Sequence, residues 1–165
     1  MQILKTITYD ISNGPGVRLS IWTAGCSHHC KGCWSPNTWN PKKGKPLKEV
    51  INKIEEELQN PNIDGVSILG GDPLYDTMKL KDNSDLDNLL NLCLLYKKPV
   101  WLWTGYKYEE IPDQVKLKCE VIIDGKFEED KKDLDLYYRG SSNQRVIKVN
   151  SDVNKIEELK LPENL

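Results

Sequence analysis

No stretch of this 165-residue chain comes near the ~18 consecutive apolar residues that a membrane-crossing helix needs. Met1 to Asp10 also lacks an apolar segment behind a basic start, so no secretory leader is read there. A cytoplasmic protein is expected. Charge of one sign is missing too: a formal net charge of −2 gives no overall field for phosphate backbones, which argues against a nucleic-acid partner. There is no internal repeat and no interdomain linker. At 38% apolar and 29% charged residues, the chain reads as one soluble domain, 1–165, long enough to bury a core without disulfides.

What the sequence does have is cysteine in an unusual place. Three of its five cysteines fall within eight residues, Cys26, Cys30 and Cys33. Without a secretion signal such crowding points to a metal rather than to a disulfide framework. The charge is also uneven. Residues 1–50 carry seven basic and two acidic residues, a local excess of +5, and the remainder carries −7. The cysteine end is the cationic end.

Val17 to Ala24 is rich in β-branched and aromatic residues and stops at Gly25, which predicts a first strand followed by a long polar loop. Leu47, Val50, Ile51, Ile54 and Leu58 have helical spacing, ended by Asn60-Pro61-Asn62. A second strand, Gly65 to Leu69, runs into Gly70-Gly71-Asp72-Pro73. Ser84 to Tyr96 predicts a helix, Val100 to Thr104 a strand, Tyr108 to Lys116 a helix broken early by Pro112, and Cys119 to Ile123 a fourth strand. Arg145 to Val149 fits one last strand, and the acidic run Glu128 to Asp135 reads as a solvated surface. Strand and helix thus alternate, which calls for an α/β fold with a parallel sheet. At roughly 30 residues per βα unit the chain holds about five units, too few to close an eight-unit barrel, so an open partial (β/α) barrel is expected. Both the cysteine loop and the Gly-Gly-Asp turn would follow strands, where such folds keep their working residues.

Cys26-x3-Cys30-x2-Cys33 brings three soft thiolates to one short loop. Three is the informative number: a structural zinc site closes with four ligands, whereas an iron–sulfur cluster on three protein thiolates keeps one iron open. His28 and His29 keep a Cys3His zinc site in contention. Cys93, on an apolar helix face, and Cys119, in a strand, read as small buried hydrophobes. Taken singly, Asn13-Gly14-Pro15-Gly16 is a tight turn, Trp101 and Trp103 are core residues, and Arg139 to Asn143 is a surface loop.

Taken together, the blocks resemble one family. The cysteine motif after one strand and a Gly-Gly-acidic turn after the next is similar to the radical S-adenosylmethionine (SAM) superfamily. Asn13 to Arg18, Gly25 to Cys33, Thr38-Trp39, Gly70 to Leu74, Trp103 to Tyr106, Asp124 to Phe127 and Arg139 to Arg145 resemble the activating proteins of anaerobic ribonucleotide reductases. That resemblance implies a [4Fe-4S] cluster on Cys26, Cys30 and Cys33, with the open iron binding SAM's methionine portion. It implies Gly70 and Gly71 at the methionine amino group, Asp72 holding their turn, and Gly32, Cys33 and Trp34 beside the adenosine, with no catalytic residue beyond the cluster and SAM. The aromatic that often precedes the last cysteine in the superfamily is here Gly32, and the aromatic is Trp34. The implied partner is an anaerobic ribonucleoside-triphosphate reductase, whose glycine would become a radical. Separately, the cationic first fifty residues suggest that Lys31, Lys42, Lys43, Lys45 and Lys48 dock an acidic, flavodoxin-like reductant, the alternative being a plain solvated face. Another small radical SAM enzyme, such as a carboxy-deazaguanine synthase, and a non-catalytic zinc module are the alternatives.

Overall fold

A computed structural model describes residues 1–149 and the backbone of 157–158; the rest of the 1–165 span lies outside the described residues. The strands are β1 (Gln2–Asp10), β2 (Arg18–Ala24), β3 (Lys45–Pro46), β4 (Gly65–Gly70), β5 (Val100–Trp103), β6 (Val121–Asp124), β7 (Arg145–Lys148) and β8 (Glu157–Glu158). Three α-helices connect them: α1 (Leu47–Leu58), α2 (Ser84–Leu95) and α3 (Asp113–Lys116). All strands belong to one sheet of order β3-β1-β2-β4-β5-β6-β7-β8.

The centre, β2-β4-β5-β6, is parallel, and α1, α2 and α3 are its three crossovers. The ends differ from the expected alternation. β1 pairs antiparallel with β2, and β7 antiparallel with β6. Among the described residues there are three βα units rather than about five: residues 125–144 return from β6 without an α-helix, and β7 pairs antiparallel with β6. β1 had no place in the sequence reading. It is a half-exposed strand whose buried positions, Ile3 and Asp10, do not form an apolar alternation. The expected helix over Tyr108–Lys116 is split into a 3-10 turn, Tyr108–Glu110, and α3. Ile111 between them is extended, as a residue before proline prefers.

Strand alternation gives the sheet two different faces. Leu19, Ile21, Val66, Ile68, Val100, Leu102 and Ile122 pack under the helices against aliphatic side chains of α1 and α2 such as Ile54, Leu58, Leu89 and Leu90. Cys93 sits in that layer, where burial pushes its thiol up to about 12. Cys119 is buried in the same layer, but in the turn before β6 rather than in the strand, and burial raises its thiol as well. Both behave as hydrophobes.

The opposite face holds Ser20, Trp22, Ser67, Leu69 and Trp101, in register across β2, β4 and β5. A small cluster of Trp101, Val121, Ile123 and Val146 continues it. The fully buried Arg18 lies at its lower end. Its Nε donates to Ser67 Oγ (2.7 Å), and its terminal nitrogens donate to the carbonyls of Pro15, Val66 and Pro99. Carbonyl dipoles and the Trp101 ring, 5.5 Å away, thus replace water around the charge. Among the described residues, no helix is long and apolar enough to cross a membrane.

Candidate metal centre

The cysteine loop leaves β2 through Gly25, whose φ of +102° turns the chain sharply at a place where a Cβ would press on the Tyr75 ring. The loop closes at its base. Gly25 N–H donates to Thr38 O (2.8 Å) and Cys26 N–H to Trp39 O (3.1 Å), so the intervening arc is tied at both ends. A turn with Cys33 N–H on Cys30 O folds its tip. Cys26 is buried, Cys30 and Cys33 half-buried.

Cys33 Sγ accepts the Ser35 N–H at 3.4 Å. Burial raises the Cys26 and Cys30 thiols, outweighing the lowering pull of backbone N–H groups nearby, those of His28 and His29 on Cys26 and that of Phe127 on Cys30. A coordinated metal reverses that balance and takes them as thiolates.

All three cysteines line one cavity of about 460 Å³, within the usual range for a small-molecule site. It opens at the carboxyl ends of β2, β4, β5 and β6, where loops after the strands converge. Gly70 and Gly71 form part of its wall. Gly71 N–H donates to Thr23 O (2.9 Å) and Asp72 N–H to Gly25 O (2.8 Å), so this turn lies directly on the base of the cysteine loop.

Trp34 lines the rim but stays 61% exposed, edge-on to Phe127 and with the Lys132 ammonium 5.4 Å above its ring. Gly32 and Asp72 do not line the cavity. Gly32 (φ +71°) faces the Glu129 side chain. Asp72 is buried behind the wall, and its carboxylate accepts from Leu74 N–H, Thr104 Oγ1, Gly105 N–H and His28 Nε2. These bonds join the turn to the cysteine loop and to the loop after β5.

The histidines are engaged away from the sulfurs: His28 on Asp72 at 2.8 Å, and His29 stacked on Trp39 with centroids 4.5 Å apart. Among the described residues, no three His, Cys, Asp or Glu side chains close on a single-ion position. The lysines Lys31, Lys42, Lys43, Lys45 and Lys48 are exposed around the loop, with Lys31 paired to Glu129 at 3.1 Å.

The far wall is built by residues to which sequence reasoning gave no site role. Trp103 belongs to it rather than to the core: its Nε1 donates to Tyr138 O (2.7 Å), while Trp101 is fully packed. Leu134 and Leu136, inside or beside the acidic run, line the cavity, although the run itself is solvated as expected. Gln144 holds this wall, donating to Gly125 O and accepting from Gly140 and Ser141 N–H. Arg145 clamps its base by bonding both Asp124 and Glu109. Trp22 Nε1, in the cavity wall, is a buried donor with no acceptor among the described residues.

Residues 12–147 match the family described as a 4Fe-4S single cluster domain. An anaerobic ribonucleoside-triphosphate reductase-activating protein of Enterobacteria phage T4 is 38% identical over 141 residues, covering 83% of this chain and 87% of the relative. The protein of the same name from Escherichia coli K12 is 38% identical over 148 residues, 83% of this chain and 92% of the relative. That of Haemophilus influenzae is 33% identical over 155 residues, 87% and 96%. With its three cysteines on one cavity wall and relatives matched over nearly their whole length, the chain belongs to the anaerobic ribonucleoside-triphosphate reductase-activating protein family.

Proposed function

We propose that this protein activates an anaerobic ribonucleoside-triphosphate reductase by using SAM at a [4Fe-4S] cluster held by Cys26, Cys30 and Cys33. The observation that carries the reading is the sharing of one cavity by these three cysteines and the Gly70-Gly71 turn. The donor set fits a cluster better than a zinc ion. A Cys3His site needs four ligands at one point, yet both histidines are committed elsewhere and no such point exists among the described residues. A cluster distributes its thiolates over separate irons, and backbone N–H groups around the sulfurs, such as that of Ser35 on Cys33, are a recognised means of tuning it.

Held by Cys26, Cys30 and Cys33 and reduced by an external donor, a cluster would supply the one electron needed for reductive cleavage of SAM's sulfur–C5′ bond, and so the radical chemistry that would act on a glycine of the reductase. The protein's own part is binding and orientation. Gly70 and Gly71 offer bare backbone to the methionine amino group beside the thiolates. Cys33 and Trp34, with Gly32 shaping the backbone between them and Cys30, flank the adenosine. Phe127, Trp103 and Leu136 exclude water from the radical's path. The cavity side of the parallel strands β2, β4, β5 and β6 would be the inner wall of an open partial barrel of the radical SAM type. Such a groove admits a loop of another protein.

Anaerobic reconstitution should load about four irons per chain and give a brown protein. Adding SAM, reductant and the reductase should then produce a glycyl radical signal by electron paramagnetic resonance. One colourless zinc per chain, or no radical from a fully loaded protein, would sink the reading. The exposed lysines fit an acidic, flavodoxin-like electron donor. Its reduction rate should fall several-fold as salt rises from about 0.01 to 0.15 M, over which the screening length shrinks from about 30 to 8 Å. A rate indifferent to salt removes the steering role.

A further inference from the structure

His28 stands two residues from Cys26 and two from Cys30, and its ring reaches out of the loop into the neighbouring wall. Asp72 is a carboxylate, so it accepts and the histidine's Nε2 carries the proton of the 2.8 Å bond. Both side chains are nearly inaccessible to solvent. The Tyr106 ring meets the imidazole edge-on at 4.5 Å. Gly105 closes the slot from the other side: a Cβ there would stand 2.4 Å from His28 Cδ2. An acceptor, an aromatic ring and a missing side chain thus all accommodate the imidazole.

We infer that His28 is a positioning residue which sets the cysteine arc against the Gly70-Gly71 turn, so that one SAM molecule can reach both. The inference rests on the function proposed above and deepens it. The backbone bonds between loop and turn lie at the base, at Thr23 and Gly25, and leave the arc from Ser27 to Trp34 undetermined. From that arc, Lys31 to Glu129 is an exposed ion pair, and Ser27 to Tyr106 is an exposed contact of 3.5 Å. The buried tie is His28 to Asp72, and Asp72 directly follows Gly71. Without the histidine, Asp72 keeps three donors, Leu74 N–H, Thr104 Oγ1 and Gly105 N–H. The turn therefore stays folded, and what is lost is its registration with the arc.

The test uses the cluster-loaded protein and SAM itself, with affinity read by anaerobic equilibrium dialysis and the SAM-induced change in the reduced cluster's paramagnetic resonance as a second readout. His28→Ala should keep its iron and bind SAM about tenfold more weakly, the scale of a lost hydrogen bond to a charged group, with a diminished spectral change. His28→Gln, which can offer an N–H at a similar reach, should recover most of that loss. Wild-type affinity in His28→Ala, or no recovery in His28→Gln, overturns the inference. Should His28→Ala not take up iron, the question passes to Gly105→Ala, which retains every cysteine and Asp72 but displaces the ring. Weakened SAM binding there supports the positioning role, and unchanged binding refutes it. A wild-type protein that holds the cluster yet does not bind SAM fails the proposed function instead, so the two failures are distinct.

Discussion

Cys30→Ala should give a folded but colourless protein that makes no detectable glycyl radical. Changes in groups that merely orient a ligand cost about 10–100-fold in metal affinity, so deleting one of three thiolates should cost more than about 100-fold and leave the cluster unassembled. Iron and sulfide content after anaerobic reconstitution checks the first half, and spin counting on the reductase the second. The fold should not suffer. Cys30 is half-buried on a loop whose base is held by backbone bonds at Gly25 and Cys26, and it takes no part in either apolar cluster. Cys93→Ala is the opposite case. It removes a wholly buried sulfur from between the sheet and α2, so it should lower the denaturation midpoint by the equivalent of about 1–2 kcal/mol while iron content stays full. If Cys93→Ala lost the cluster and Cys30→Ala kept it, the ligand assignment would be wrong.

That contrast shows which parts of this protein are legible in its sequence. The three clustered cysteines and the two glycines are local signals, because the loop and the turn each need only a few consecutive residues to acquire their chemistry. The helices α1 and α2 were equally legible, since Leu47 to Leu58 and Leu86 to Cys93 repeat at helical spacing and bury that face. The antiparallel ends were not, because strand direction depends on whether the connecting chain contains a helix long enough to cross over, and residues 125–144 look no different in composition from a loop that precedes one. Asp72 shows the same limit at the site. The family resemblance implies a role for it at the turn, but the donors that claim its carboxylate come from His28, Thr104 and Gly105, 44, 32 and 33 residues away. Trp103 and Leu136 needed the return of the chain after β6 to become cavity walls rather than core and surface.

Gly71→Ala is expected to have the second large effect, through shape alone. Its backbone is not in the left-handed region, so alanine is conformationally acceptable there; the added methyl, however, would lie 2.4 Å from Gly25 O and 2.8 Å from Thr38 O. Both are backbone atoms at the closed base of the cysteine loop, and neither can swing aside as a side-chain tip would. The turn must therefore back away, stretching the bonds from Gly71 N–H to Thr23 O and from Asp72 N–H to Gly25 O. Overpacking of this kind costs about 1–3 kcal/mol, to be read as a lowered midpoint in chemical denaturation. The functional loss should be larger than the stability loss implies. A displacement of about 1 Å between reacting groups can cost about 100-fold in rate, and here it would separate the turn proposed to meet the methionine amino group from the cysteines proposed to hold the cluster. Iron content should stay near the wild-type value, because the three thiolates lie on the cysteine loop rather than on the turn. A loaded Gly71→Ala protein that formed glycyl radical at the wild-type rate would show that SAM does not rely on close approach to this backbone.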